Sequence, residues 1–501
     1  MGESAETGQS NPPLQESPLR ETARDLLIYI PSRFLPALAS ILAIKVFSTL
    51  LPKAEYGAYL TMIYTAGFAM TVMFQWIKNS AFRYLEAYRQ QGKLGTLLAT
   101  VVGVLVLNYL LLLGLAVAIR PYLPPPYHLL IIPTAIIAAF GGTLGVLEGL
   151  QRAARLPLHF TLMWIAESWG KLLLGWALIL LIAPQAMEVL AGNALVQLGV
   201  AAAFALWLAR TLRQPLANFD SQVLKRMLRF GLPMMGSAMA LWGLSVADRY
   251  VLLFFRGEEA VSNYSVGYLI PQRGLDLTLG LIMIAGYPII VSLFERGYDQ
   301  EARRLISQLC RTYIYLSGLV GGAIAAFPGL WIRVLSDYSK YGSYAFLIPI
   351  IGLVMVIFRL ADFTVKGWEI REKTHFNLLI FSAALLLNLV LNFLLVPPYG
   401  ELGAAIASLI SLSLATAATF HSFTMWRWQF PWLALFRTLL ITGLLVGAGF
   451  VIDRRTGGSL MLLATLPVYV LLYIALQWIS GDRTLLHVLR LLRLRQRPHS
   501  G

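Results

Sequence analysis

The sequence predicts an all-α integral membrane protein. It should hold about fourteen transmembrane helices: two pseudo-symmetric six-helix bundles around a central lumen, and two C-terminal helices. Three observations carry this. Of 501 residues, 58% are hydrophobic, and the mean hydropathy is +0.68. Only 13% are charged, about half the share of an ordinary soluble chain, so there is too little polar surface to cover a soluble fold. Apolar stretches of the roughly 20 residues needed to cross a bilayer recur along the chain with short connections between them. The composition excludes a cytosolic enzyme, a disordered scaffold and a nucleic-acid binder. The net charge of +15 therefore belongs to loops, not to a face for nucleic acid.

Residues 1–25 are polar and net acidic and include Pro12 and Pro13. They lack the basic start and short apolar run of a signal peptide, and predict a disordered cytoplasmic tail. The first bundle, 26–209, holds apolar spans at 26–51, 58–78, 95–119, 128–150, 157–182 and 187–209, the last interrupted by Gly192 and Asn193. A cytoplasmic linker, 210–227, follows. The second bundle, 228–424, holds spans at 228–255, 260–292, 310–332, 343–365, 376–396 and 402–424. Helices 13 and 14 occupy 433–452 and 460–480, within 433–480. In the basic cytoplasmic tail, 483–501, Arg483, Arg490 and Arg497 recur every seven residues, with Leu485, Leu489 and Leu492 on another face. Such a helix suits a surface of anionic lipid.

Lysine and arginine alternate from loop to loop. With the N-terminus inside, 27 of the 40 fall in cytoplasmic loops and tails, 7 in outer loops and 6 within spans. This asymmetry predicts that both termini are cytoplasmic. The halves also echo each other. GLQRAARLPLHF (149–160) resembles GWEIREKTHF (367–376), and LLPKAEYGAYLTMIY (50–64) resembles FFRGEEAVSNYSVGYLI (254–270). An offset of six helices keeps both halves in the same orientation, which places the symmetry axis along the membrane normal and a substrate path between the bundles.

Ionisable groups inside spans cost about 2.5–3.5 kcal/mol each on insertion scales and usually face a cavity or a partner. The cations are Arg33, Lys45, Lys171, Arg249, Arg273 and Arg359; the carboxylates include Glu148, Glu167, Asp248, Asp276 and Asp362. Glu167 and Lys171 are spaced i,i+4, and Arg273/Asp276 and Arg359/Asp362 are spaced i,i+3, so each pair can neutralise itself. Asp248 and Arg249 are adjacent, project about 100° apart and should not pair as helical neighbours do. Their expected partners lie across to the next span: Asp248 with Arg273, or Arg249 with Asp276. A lumen of net positive charge suits an anionic head group, and arginine forks suit phosphate oxygens. The lone Cys310 excludes an internal disulfide, and six scattered histidines offer no metal cluster. No phosphate-binding loop of the G-x-x-x-x-G-K-[ST] type occurs, and no cofactor is expected.

YIPSRFLPALASILAIKVFSTLLPKAEYGAYLTM (29–62) resembles the first helix pair of the Wzx-like polysaccharide flippases. FGLPMMGSAMALWGLSVADRYVLLFF (230–255), followed by NYSVGYLIP (263–271), resembles their seventh helix. NLLIFSAALLLNLVLNFLLVPPYGELGAAIAS (377–408) is similar to their asparagine-spaced helix, its outer Pro-Tyr-Gly turn and the start of the next helix. The resemblance covers about residues 25–480. It implies the multidrug/oligosaccharidyl-lipid/polysaccharide exporter superfamily, with two lobes around a cationic lumen. It also implies a bacterial inner-membrane location and flipping of an undecaprenyl-pyrophosphate-linked oligosaccharide to the periplasmic leaflet. Asp248 and Arg249 carry over directly; Arg33, Lys45, Lys171 and Arg273 carry over as cations of the lumen. On this reading Arg249, Arg273 and Lys171 hold pyrophosphate, and Asp248, Asp276 or Glu167 couples transport to protons or cations. Partners are then the polyprenyl-linked saccharide, membrane lipid and other polysaccharide-assembly proteins, and no nucleic acid.

The MurJ-like lipid II flippases are expected to carry charge in the second helix, and residues 58–77 have none. Multidrug exporters usually have an early carboxylate, whereas span 1 holds only Arg33 and Lys45. An alternative of another kind is a membrane subunit of an exopolysaccharide synthesis or secretion complex. A polymerase or glycosyltransferase would need a larger extramembrane loop than this chain has.

Overall fold

A computed structural model describes residues 34–482 and Thr484, without the side chains at 233, 277–281, 284 and 285. Arg33 and nearly all of the two tails lie outside the described residues. Helix is the only regular structure among those described. The N-terminal half comprises α1 (Phe34–Leu50), α2 (Lys53–Met73), α3 (Gln75–Gln90), α4 (Leu94–Ile119), α5 (Tyr127–Ala153), α6 (Pro157–Leu181) and α7 (Ala186–Leu212). The C-terminal half comprises α8 (Ser221–Glu295), α9 (Asp299–Leu316), α10 (Gly322–Ala326), α11 (Pro328–Leu335), α12 (Tyr338–Tyr341), α13 (Leu347–Thr364), α14 (Lys366–Ile370), α15 (His375–Thr419), α16 (Trp432–Thr456) and α17 (Thr465–Ile479).

Two of these helices fold back on themselves. In α8 the backbone leaves helical geometry at Gly257 (φ 77°), and in α15 at Gly400 (φ 55°). Both positions are left-handed, where glycine carries no Cβ penalty. Hydrogen bonds show the reversal. Tyr264 is 16 residues beyond Asp248 yet donates to its carboxylate at 2.6 Å, where a straight helix would hold them about 24 Å apart. Asn388 likewise donates to Ser411 at 3.0 Å across 23 residues. The sequence places breaks at both positions.

Among the described residues, ten helices are long and apolar enough to cross a membrane. The number rises to eleven when α2 and α3, bent by 44° at Phe74, count as one broken span. Length and apolarity alone therefore do not reproduce the expected fourteen. That count takes each hairpin as a single helix, and α1 falls just short of the length required.

Two expectations about individual spans are corrected. Gly192 and Asn193 do not interrupt the sixth, because α7 runs unbroken from Ala186 to Leu212. Gly192 instead lets α7 approach α6 closely: a Cβ there would sit 3.0 Å from the Gly175 backbone nitrogen, the small-residue contact that membrane helices favour. The ninth is not one uniform helix. It starts at Asp299, widens into a π-turn at Ser317–Gly321 and breaks at Phe327, before Pro328 opens α11. The Tyr469 hydroxyl donates to the Gly318 carbonyl at 3.0 Å and the Tyr473 hydroxyl to the Tyr315 carbonyl at 2.7 Å, so α17 satisfies backbone at and beside the wide turn. Asp453 of α16 accepts from the Gly329 and Leu330 nitrogens at 2.7 and 3.0 Å, covering the N-terminus of α11. The last two long helices thus brace the irregular ninth span.

The two echoed segments share a local geometry. Arg155 (φ 55°) and Glu372 (φ 58°) are non-glycine residues in the left-handed region. After each, the next nitrogen donates five residues back, Leu156 to Gln151 at 2.9 Å and Lys373 to Trp368 at 2.8 Å. One large core lies mainly in the N-terminal half and takes in Val223 and Met227 at the start of α8, and another lies within the C-terminal half. A third joins the halves, packing Phe47, Tyr56 and Leu60 with Val266, Ile270 and Ile332.

Candidate functional site

The α2 helix lies against the first arm of α8 along much of its length. Thr65 and Tyr250 hydroxyls meet at 3.0 Å, and the Phe68 and Trp242 rings at 5.1 Å. At the far end a Cβ on Gly57 would sit 2.0 Å from the Glu258 carbonyl oxygen, so only glycine permits that approach.

Asp248 and Arg249 sit within this seam, 1% and 2% exposed. They do pair, contrary to expectation: Arg249 Nη1 lies 2.7 Å from Asp248 Oδ1, which also accepts the Arg249 backbone nitrogen at 2.9 Å. The direction of Cβ does not limit an arginine. Its flexible stem curls back toward the helix N-terminus, where the same nitrogen also reaches the Ser245 carbonyl. Tyr264 donates to Asp248 at 2.6 Å and Ser408 at 3.4 Å. The guanidinium lies 5.0, 5.3 and 3.8 Å from the ring centres of Tyr64, Tyr264 and Tyr268, a desolvated cation enclosed by aromatic faces. Tyr64 comes from the other half of the chain.

The second expected cross-helix pair is replaced by another. Asp276, on the second arm of α8, accepts from Arg359 of α13 at 2.6 Å, and Asp362 lies 3.6 Å from the same guanidinium. Arg273 therefore loses its i,i+3 partner: Asp276 is drawn to α13, whose arginine can serve two carboxylates at once. No ion pair or hydrogen bond is found for Arg273 among the described residues, and its Nε is buried without a partner. It lies three residues after Ile270 and seven after Val266, both packed against the N-terminal half, and so belongs to the same face of the second arm.

Glu167 and Lys171 pair at 2.6 Å as their spacing predicts, and Gln197 of α7 donates to Glu167 at 3.1 Å. Glu167 is buried, while 31% of the Lys171 side chain is exposed. Lys45 does not stand free. Its ammonium donates to the carbonyl of Arg333 at 2.9 Å and to that of Ser336, in the C-terminal half. The expected cations thus differ in what they hold. Arg33 lies outside the described residues, Arg249 and Lys171 hold carboxylates, Lys45 holds backbone, and Arg273 is unpaired among the described residues.

Sequence reasoning missed Tyr64, Tyr264, Tyr268, Ser408 and Gln197. Helical spacing relates neighbours on one helix and carries no information on which tyrosines converge from the two halves of the chain. Only Tyr264 and Tyr268 gave a signal, standing one turn apart on an apolar helix.

Comparison with known proteins follows from this geometry. Residues 22–294, more than half of the chain, match the family described as "Polysaccharide biosynthesis protein". A curated relative, "Uncharacterized membrane protein MJ1068" of Methanocaldococcus jannaschii, is 24% identical over 213 residues, 42% of this chain. The chain spans 39% of that relative's length. Among solved structures, "Lipid II flippase MurJ, inward closed conformation" is similar over 91% of this chain and 98% of its own, with a TM-score of 0.71 and 14% identity. An inward-facing transporter of the multidrug resistance MATE family, in the MOP superfamily, is similar over 78% of this chain and 94% of its own, with a TM-score of 0.65 and 14% identity. A MOP superfamily transporter of Pyrococcus furiosus, described as having a binding pocket of reverse polarity, is similar at a TM-score of 0.55 and 16% identity, over 80% of this chain and 93% of its own. At such identities the likeness shows the fold, a multi-pass transporter fold shared with flippases. With the match across more than half its length, the chain belongs to the polysaccharide biosynthesis protein family.

Proposed function

We propose that this protein is a flippase for an undecaprenyl-pyrophosphate-linked oligosaccharide. It moves the head group from the cytoplasmic to the periplasmic leaflet of a bacterial inner membrane by alternating access, with both termini in the cytoplasm. The observation that carries this reading is Arg273, which has no ion pair or hydrogen bond among the described residues and lies on the face of the second arm of α8 that meets the other half. An unpaired cation inside a membrane protein is costly unless an anion arrives to meet it, and a guanidinium fork fits phosphate oxygens. Family membership supports a polysaccharide precursor as cargo. Likeness in fold to transporter structures described as inward-facing and as outward-facing supports alternating access.

Arg249 is enclosed in this state, and its role is to position the α2–α8 seam. Lys171 holds one carboxylate and Arg359 two. A phosphate arriving at either cation competes with Glu167 or Asp276 and frees that carboxylate to take a proton or cation, a direct route from cargo binding to coupling. The experiment is reconstitution of the chain alone in proteoliposomes with a polyprenyl-diphosphate saccharide. Appearance of the saccharide on the opposite leaflet is the expected result. No movement by folded protein would overturn the reading and favour a subunit that acts only within a complex.

A further inference from the structure

Two helix C-termini face each other across the halves. The last turn of α1 ends at Leu50, before Pro52; α11 ends at Leu335. The final carbonyls of a helix have no partner within it and carry its negative dipole end, which a lysine can cap. Here each end is capped from the opposite half. Lys45 of α1 donates to the carbonyls of Arg333 and Ser336 at the end of α11. Lys340 of α12 donates to the carbonyls of Thr49 and Leu51 at 2.6 and 3.0 Å, at the end of α1. Between them the buried hydroxyls of Ser48 and Ser336 meet at 2.8 Å.

We infer that Lys45 and Lys340 form a reciprocal latch, each lysine capping the other half's helix, that holds the outer side of the lumen closed and must part for the cargo to leave. The inference rests on the alternating-access reading above and on the outer placement that the sequence predicts for residues 52–57 and 333–342. Three features fit a latch better than a permanent weld. Both lysines use neutral carbonyls as acceptors, so parting them leaves no buried carboxylate behind; a buried ion pair would. The contacts sit directly above the apolar core shared by the two halves, the packing that must separate on outward opening. Several neighbouring cross-half contacts involve no ion pair either: the Lys53 ammonium lies 5.6 and 5.4 Å from the Tyr341 and Tyr344 rings, and Tyr127 donates to Glu258 at 3.1 Å.

The test uses thiol accessibility, which reads the gate whether or not the cargo has been named correctly. The sole cysteine of the parent chain, Cys310, is buried and gives little background. Val266, 1% exposed within the shared core, becomes the probe as Val266→Cys, labelled from outside intact cells by a membrane-impermeant maleimide. Labelling should be slow in the parent background. Lys45→Met with Lys340→Met should raise its rate about tenfold or more, the effect of shifting a two-state balance toward the open form. Adding Ser48→Cys and Ser336→Cys and oxidising should return it to the slow rate, reversibly with reductant. Fast labelling with both lysines present, or an unchanged rate in the folded double variant, overturns the latch. If the double variant does not fold, Lys340→Met alone is scored by the rate at which the Ser48→Cys/Ser336→Cys disulfide forms. Slower closure than in the parent supports the latch, and an equal rate overturns it.

Discussion

Removing the Arg249 side chain should unfold more than it disarms. In Arg249→Ala the carboxylate of Asp248 stays in a site 1% exposed to solvent, keeping the Tyr264 hydroxyl at 2.6 Å and the weaker Ser408 contact at 3.4 Å but losing the cation it holds among the described residues. Breaking a buried ion pair from one side costs about 3–5 kcal/mol, since the remaining charge is uncompensated. The three tyrosine faces also lose their cation, at about 0.5–2 kcal/mol each by general estimates. The double change Arg249→Met with Asp248→Asn removes both charges. It keeps an apolar stem among the rings and an acceptor for Tyr264, and should recover most of the loss. The assay is the temperature of half-loss of monodisperse protein in detergent, read beside membrane abundance. Arg249→Ala should fall well below the parent, with the double variant near it. Arg249→Ala as stable as the parent but unable to transport would refute the bracing role and make Arg249 a cargo contact.

Gly57→Ala places a methyl group 2.0 Å from the Glu258 carbonyl oxygen, so α2 and the turn of α8 must separate; a stability loss of about 1–3 kcal/mol is expected, and a neutral result would contradict the close approach. Arg359→Ala leaves Asp276 and Asp362 without the guanidinium they share at 2.6 and 3.6 Å. It should lower membrane abundance, and adding Asp276→Asn should restore part of it; the same Asp276→Asn change should not rescue Arg273→Ala, because Arg273 does not hold that carboxylate.

Legibility in the sequence followed the range of the interaction. The helical hairpins could be read because Gly257 and Gly400 each stand at a local break in an apolar run, among polar residues or beside prolines. The Glu167–Lys171 pair could be read because i,i+4 spacing fixes both ends on one helix face. The fate of Asp276 could not, since it depends on where α13 sits relative to α8, and a partner 83 residues away outcompetes the one three residues away. The irregular ninth span was hidden for a related reason: its π-turn is supported by tyrosines more than 150 residues later in the chain. Lys45 and Lys340 were invisible as a pair because their acceptors are backbone carbonyls, which every residue type carries. The seam around Arg249 was misread by a correct rule applied too far, since 100° between adjacent Cβ atoms does not bound the reach of a long side chain.

The central claim is that an anionic head group is gripped at Arg273. Its most direct measurement is flipping of a polyprenyl-diphosphate saccharide by Arg273→Ala, Arg273→Lys and Arg273→Glu in proteoliposomes, with equal amounts of folded protein and cargo concentration varied. Loss of a charge-assisted phosphate contact, about 1.5–3 kcal/mol, predicts a half-saturating concentration raised roughly tenfold or more in Arg273→Ala. Arg273→Lys should be milder, because it keeps the charge and loses the fork, and Arg273→Glu should be the most impaired. Three variants that match the parent in both rate and half-saturation would contradict the account.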